Sequence, residues 1–206
     1  MRTSVFVLFL SALVTVGCNK ASDSKPQPQQ GGTTGGGGDK SGTPVEFAGK
    51  TPVEFIGTKP GGKHVGGFTS TTVALRPIPA KDEDFTRCKI DVDIDTDSLW
   101  SDTPKLTNHL KSPDFFDVKK YPTAKFVSKS IEADKSGDST HKITGDLTLH
   151  GTTKTITIPA KVTATADAVN IDSQFTINRH DYGISYGRGK VHDNITIKAA
   201  LRVARK

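Results

Sequence analysis

The stretch Lys89-Ile90-Asp91-Val92-Asp93-Ile94-Asp95 alternates charged and aliphatic side chains without interruption. Successive side chains of an extended chain leave on opposite faces, so this segment has one dry face and one strongly charged face and reads as a half-buried β-strand. Two further runs repeat the pattern. Val169, Ile171, Phe175 and Ile177 alternate with Asn170, Asp172, Gln174 and Thr176, and Ser173 is the one polar residue on the apolar side. Ile195, Ile197, Ala199, Leu201 and Val203 oppose Thr196, Lys198 and Arg202. Weaker runs over residues 45–56, 64–75, 123–133, 141–150 and 153–163 bring the expected strands to about eight. Helical periodicity occurs once, from Thr103 to Lys111, where Pro104 suits the first helical position and Thr103 the cap. Strands that do not alternate with helices argue against a parallel α/β sheet. Asp134-Lys135-Ser136-Gly137-Asp138 and the tight Gly151-Thr152 read as hairpin turns, which makes neighbouring strands antiparallel. The expected fold is therefore all-β, an eight-stranded antiparallel barrel or a sandwich with one short helix. A barrel of that size is either filled by its own side chains or holds one ligand, and alternation alone does not distinguish the two.

Around this domain the chain changes character. Met1-Arg2-Thr3 and the apolar run from Val5 to Val16 have the proportions of a secretory leader, so residues 1–17 are expected to be a signal peptide. Gly17-Cys18 resembles the lipobox of bacterial lipoproteins, with Cys18 as the acylated residue; Thr15 stands where that pattern usually carries an aliphatic side chain. Residues 18–42, which include Gln27-Pro28-Gln29-Gln30 and Gly35-Gly36-Gly37-Gly38, bury too little apolar area to fold and read as a tether, leaving 43–206 as the folded domain. The repeated Thr-Pro-Val-Glu-Phe at 43–47 and 51–55 has two copies and is no solenoid; its second copy is expected in the first strand. Twenty-eight Lys and Arg against 22 Asp and Glu give a net charge of +6, but the signs are interspersed, which argues weakly for an anionic partner and against nucleic acid. With Cys18 acylated, Cys88 has no partner for a disulfide and reads as a small buried hydrophobe.

No catalytic residue and no metal site is expected. Gly183-Ile184-Ser185-Tyr186-Gly187 matches GxSxG, yet Arg188-Gly189-Lys190 leads toward another strand where a nucleophile elbow requires a helix. Gly38-Asp39-Lys40-Ser41 lacks the spacing and the preceding strand of a phosphate loop. The histidines at 64, 109, 141, 150, 180 and 192 show no ligand-pair spacing.

Four segments carry a resemblance. Asn108-His109-Leu110-Lys111-Ser112-Pro113-Asp114-Phe115-Phe116-Asp117, with Tyr121-Pro122 and Phe126 beyond, closely resembles the central signature of the YceI-like family of bacterial secreted proteins. His64-Val65-Gly66-Gly67-Phe68, the stretch from Gly145 to Lys154, and Asn178-Arg179-His180-Asp181-Tyr182-Gly183-Ile184 with Asp193 agree in order. The resemblance implies a lipocalin-like barrel around a long hydrophobic tunnel that binds a polyisoprenoid chain, such as a quinone or prenyl-phosphate lipid, in the periplasm or cell envelope. It implies no enzymatic activity and no cofactor beyond the bound lipid. Two departures stand out: Thr107-Asn108 replaces the family's Arg-Asp, removing any ion pair there, and Gly57-Thr58-Lys59-Pro60-Gly61-Gly62-Lys63 inserts an expected flexible turn at the seam of the barrel.

Resemblance and alternation together nominate Ile90, Val92, Ile94, Phe126, Leu147, Leu149, Ile171, Phe175, Ile177 and Ile197 for the tunnel wall, residues that serve a solid core equally well. For the mouth they nominate His109, Leu110, Phe115, Phe116, Tyr121, Arg179, Tyr182 and Arg188. Phe115, Phe116 and Tyr121 either line the entrance or plug the barrel end. Arg179 either grips a headgroup or forms an ion pair with Asp181 or Asp193 that fixes the turn. The expected function is a membrane-tethered binding protein that transports, stores or sequesters an isoprenoid lipid. The alternative is a solid-cored structural barrel that meets a protein partner through the face carrying Asp91, Asp93 and Asp95. The oligomeric state is open, a dimer included.

Overall fold

A computed structural model describes residues 52–81 and 83–205. The leader, Cys18, the tether and the first copy of the repeat lie outside the described residues. Ten strands form one antiparallel sheet: β1 (Val53–Lys59), β2 (Gly62–Phe68), β3 (Thr71–Arg76), β4 (Lys89–Asp95), β5 (Leu99–Ser101), β6 (Thr123–Ala133), β7 (His141–Leu149), β8 (Thr152–Ala164), β9 (Ala168–Asn178) and β10 (Asn194–Ala204). One helix, α1 (Pro104–Lys111), follows β5. Among the described residues no helix is long and apolar enough to cross a membrane.

The strand order is β3-β4-β6-β7-β8-β9-β10-β1-β2-β5, and the count is ten where periodicity predicts eight. The difference comes from two corners. The predicted run over 64–75 breaks at Thr69-Ser70, and the strand begun at Lys89 breaks at a 3-10 turn, Thr96–Ser98, where the Asp95 carboxylate accepts from Asp97 N at 2.9 Å. Thr69 N donates to Ser98 O (3.2 Å) and Asp95 N to Ser70 O (3.0 Å), so the antiparallel pairing turns the corner and continues from β2–β5 into β3–β4. Because β3 is the chain continuation of β2, and β5 that of β4, the two ends of the sheet meet at this corner and the sheet curls around one core.

Turn chemistry refines two other expectations. The β7–β8 hairpin closes at His150-Gly151, one residue earlier than expected; Leu149 pairs with Thr152, and both central residues have positive φ, +50° and +73°, as the twist of a two-residue hairpin demands. The segment 57–63 is a continuous hairpin and no flexible insertion. Gly57 to Lys59 and Gly62 to Lys63 are strand residues, Lys59 pairs with Gly62, and Pro60-Gly61 makes the turn with Gly61 at φ +77°. The seam itself is laddered, with Val53 opposite Ala199 and Ile56 opposite Thr196.

Pro104 opens α1 as expected, but Thr103 occupies the cap position without a side-chain cap bond. Thr107, at the departure from the family pattern, substitutes a hydroxyl network: its Oγ1 accepts from Ser101 N (2.9 Å) and donates to Thr103 O (3.2 Å). The inward faces of the strands make the core, with Val73, Ile90, Ile143, Val169 and Val203 almost wholly enclosed. Cys88 is free and buried just before β4, where burial pushes its thiol pKa up. The charged outer face of β4 is satisfied within the sheet: Asp91 meets Arg76 at 2.7 Å and Asp93 meets Lys125 at 3.4 Å.

Candidate functional site

The curled sheet encloses an apolar cavity of about 230 Å³. Its wall is built by the inward positions of the alternating strands: Ile90, Val92 and Ile94 from β4, Phe126 from β6, Leu147 and Leu149 from β7, Ile171, Phe175 and Ile177 from β9, and Ile197 from β10. All ten residues nominated for the wall face this space. Val53, Phe55, Phe68, Ile143 and Ile158 line it by the same alternation without having been nominated, as do Ile195 and Leu201 from the apolar face of the Ile197 run. The signal was present in each strand, but only the unbroken runs made it stand out. An apolar cavity of about 150 Å³ admits benzene, so this one is large enough for hydrocarbon. Ser173, the polar interruption on β9, is neutralised as a donor by Pro159 O at 2.6 Å.

One end of the cavity is covered by α1 and the loop after it. Phe116 N donates to Leu110 O (3.0 Å) and Val118 N to Lys111 O (3.2 Å), which folds the chain back beneath the helix. That turn seats Leu110, Phe115 and Phe116 on the cavity, with Leu106 beside them. Phe116 packs edge-on to Phe68 (centroids 5.5 Å apart) and tilted against Phe55 (6.1 Å), so it belongs to the wall as much as to the mouth. Phe115 joins His109 (5.0 Å) and the exposed Tyr186 (5.2 Å) in a second cluster. His109 holds Asp114 at 2.8 Å and does not line the cavity.

Like His109, three more residues nominated for the mouth lie off the cavity lining. Tyr121 packs on His150 (4.5 Å) and covers Gly151, where a Cβ would come within 2.5 Å of its ring, so it secures the β7–β8 turn away from the cavity. Tyr182 is buried in the core, and burial pushes its phenol pKa up. Arg188 is exposed in the turn that pairs it with Val191 and lies off the cavity.

Arg179 does reach the cavity, but four of its five N–H donors are taken by backbone carbonyls. Nη1 donates to Ile184 O (3.0 Å) and Tyr186 O (2.6 Å), Nη2 to Val191 O (3.3 Å), and Nε to His192 O (3.3 Å). Asp193 lies 3.6 Å from Nη2. The guanidinium thus fastens the loop 184–193 from inside, the turn-fixing role, with the carbonyls outweighing the ion pair. Burial lowers its pKa, and Asp193 opposes the shift.

The remaining polar wall residues are Thr58, Lys59 and His64, all on the β1–β2 hairpin. His64 Nδ1 lies 3.0 Å from the Asp102 carboxylate. Desolvation raises the Asp102 pKa, but hydrogen bonds from His64 and Val65 N outweigh it and hold the acid below its ordinary value.

A single antiparallel sheet curled about an apolar cavity, capped by one short helix, defines a small lipocalin-like β-barrel. The YceI-like domain family matches this chain over residues 39–203, and the chain belongs to that family. It is 43% identical over 102 residues to a UPF0312 protein of Pseudomonas putida, a match covering 47% of this chain and 52% of that protein. A UPF0312 protein of Pseudomonas fluorescens is 35% identical over 119 residues, 55% of this chain and 60% of the relative. The chain therefore spans about half the length of the curated relatives it matches. Among solved structures it is similar to the YCEI protein of Campylobacter jejuni (TM-score 0.58, 26% identity, 68% of this chain and 84% of that one). It also shares its fold with BcnA of Burkholderia cenocepacia (TM-score 0.66, 23% identity, 73% and 94% covered). A polyisoprenoid binding domain from Saccharophagus degradans has the same fold (TM-score 0.57, 12% identity, 74% and 93% covered).

Proposed function

We propose that this protein holds an isoprenoid lipid, of quinone or prenyl-phosphate type, with its chain inside the barrel, for transport, storage or sequestration. The observation that carries the reading is the cavity, whose wall is hydrocarbon contributed by five or more strands. A tail without hydrogen-bonding groups gains about 25 cal/mol per Å² of apolar area removed from water and asks nothing else of its site. The shared fold of the Saccharophagus degradans polyisoprenoid binding domain is consistent with this use. The role requires no catalysis and no cofactor. The experiment is mass spectrometry of an organic extract of the protein purified from its native envelope without detergent. A stoichiometric isoprenoid is expected. An empty extract from folded protein that also fails to take up added quinone or prenyl phosphate would overturn the reading and favour a protein partner.

Acylation of Cys18 would hold the barrel at a membrane of the cell envelope, with the segment to residue 42 reaching roughly 25–30 Å if it behaves as a flexible chain. A Cys18→Ser chain is expected to leave the membrane fraction; complete retention there would remove the lipid anchor from the proposal.

A further inference from the structure

The wall of the barrel is split between β8 and β9. These strands are 13 and 11 residues long, yet the ladder between them has four pairs, from Lys161 opposite Asp172 to Ala164 opposite Val169. On their other sides both are laddered throughout this region, β8 to β7 from Thr152 to Ala160 and β9 to β10 along its whole length. From Ser173 to Asn178, therefore, β9 has no ladder partner on the β8 side among the described residues, over roughly 20 Å at about 3.3 Å per residue.

The sequence of β8 suits this separation. Pro159 has no N–H to offer a neighbour, and its carbonyl accepts from Ser173 Oγ of β9 at 2.6 Å; a proline within a sheet belongs at an edge. The outward threonines of the same stretch direct their hydroxyls away from β9. Thr153 meets Thr148 of β7 at 2.8 Å, Thr155 donates to Asp146 at 2.6 Å, and Thr157 meets Thr144 at 2.8 Å. This half of β8 is thus fastened to β7, and β9 is left as the loose neighbour.

The split is a window with two closed ends. The four-pair ladder bounds it on one side, and on the other the His150 Nδ1 contact with Tyr182 O (3.2 Å) ties the β7–β8 turn to the 3-10 turn that follows β9. Its inner lips are apolar: Ile158 of β8 and Phe175 and Ile177 of β9 line the cavity, with Ile156 half-buried beside them. The barrel ends are more firmly shut. At one, Phe115 and Phe116 sit on the cavity and Arg179 fastens the neighbouring loop through backbone carbonyls. Toward the other, Val73, Leu75, Val169 and Val203 are buried and stand outside the cavity lining.

We infer that the lipid chain enters and leaves this barrel sideways, through the β8–β9 window, with the Ser173 Oγ–Pro159 O bond as its catch. The inference rests on the lipid-binding reading above and adds the route. Parting two laddered strands leaves buried donors and acceptors unpaired, whereas parting β8 from β9 along the split breaks one side-chain bond and apolar contacts that an entering hydrocarbon replaces.

The test is a crosslink across the window. Continuing the register of Lys161 with Asp172 sets the exposed Thr157 opposite the exposed Thr176, so the full chain is made with Thr157→Cys and Thr176→Cys, and the joined pair is verified by peptide mapping. A short bifunctional thiol linker serves where the disulfide does not close. Uptake of radiolabelled polyprenol from phosphatidylcholine vesicles is expected to slow about tenfold or more in the crosslinked protein, as a shut gate limits the rate. Reduction of the disulfide should restore the rate, and a crosslink formed after loading should slow release alike. The control joins Gln174→Cys to Lys198→Cys, an exposed pair across the laddered β9–β10 boundary, and should leave uptake within about twofold of the reduced form. Uptake unchanged by the window crosslink, or slowed equally by the control, would overturn the inference and leave lipid binding standing. An unaltered, folded chain that takes up no polyprenol, quinone or prenyl phosphate would instead bring down the lipid-binding reading on which it rests.

Discussion

Arg179 shows how a residue that looks like a ligand contact from sequence serves the fold once its surroundings are known. Its motif position at the end of β9 is compatible with gripping a headgroup, but four carbonyls from 184, 186, 191 and 192 converge on its donors. Arg179→Met would orphan these acceptors and free the loop, costing about 2–4 kcal/mol of stability, measured by urea unfolding. The folded fraction should still take up an uncharged isoprenoid. Phe175 is the contrasting case. Its ring lines the cavity from β9 opposite Ile197, and it is only partly buried because it borders empty space. Phe175→Glu places a carboxyl against hydrocarbon, where it must either exclude the tail or lose its charge. Folding should persist by circular dichroism while lipid uptake falls at least tenfold. Leu147→Glu, two strands away on β7, is expected to behave alike, and unchanged uptake in either folded variant would argue that no tail occupies that part of the cavity.

At the level of elements, the barrel is shaped by glycines under aromatic rings. A Cβ on Gly145 of β7 would fall 2.5 Å from Val127 O and 2.6 Å from Phe126 Cζ, and one on Gly66 of β2 would fall 2.4 Å from Phe55 Cζ. Both rings line the cavity, so these strands approach closely at the points where the wall is aromatic. Gly145→Ala is therefore expected to destabilise by about 1–3 kcal/mol, through overpacking, and to shift the Phe126 ring into the cavity; thermal unfolding and tail-length preference would report the two effects. This level also sets what sequence could reveal. The runs through Ile90, Ile171 and Ile197 betray their strands because each keeps its alternation unbroken, and β6, read as 123–133, has those limits in the structure. The corners at 69–70 and 96–98 escape notice because a bend costs alternation only one or two residues, and β5 is three residues long. The cavity was illegible for a different reason. An inward Ile against a neighbour and an inward Ile against a void have the same pattern, so the wall residues could be named while the space between them could not.

Over the described residues, the curled sheet has two unlike ends. The helix, its following loop, the β1–β2 hairpin and the 179–193 segment gather at one, while the β6–β7 loop and the chain around Phe85 and Cys88 lie toward the other. Acid should act on the assembly in two stages. His141, at the start of β7, packs edge-on to Phe85 with centroids 5.2 Å apart; burial lowers its pKa, and Asp84 opposes the shift. The folded state thus disfavours the proton that the unfolded chain accepts near the ordinary histidine value of about 6.5, so stability begins to fall as pH drops below that value and stops falling on this account once the folded His141 is itself protonated. The carboxylates respond lower down. Asp146 is held below its ordinary pKa by Lys129 and Thr155, and Asp134 by Ser136 and Lys142, both ties between or beside the strands β6, β7 and β8. Their contribution is complete well above the ordinary carboxylate value of about 3.9 and is lost as pH falls through the lowered folded values. Thermal unfolding from pH 7.5 to 3 should show a shallow decline below about 6.5 and a steeper one below about 4. His141→Phe should flatten the first stage and Asp146→Asn weaken the second. A midpoint that is constant down to pH 5 in the unaltered chain would show that the lowered His141 pKa does not contribute to stability, whereas a single acid transition insensitive to Asp146→Asn would place the acid-labile contacts outside β6–β8.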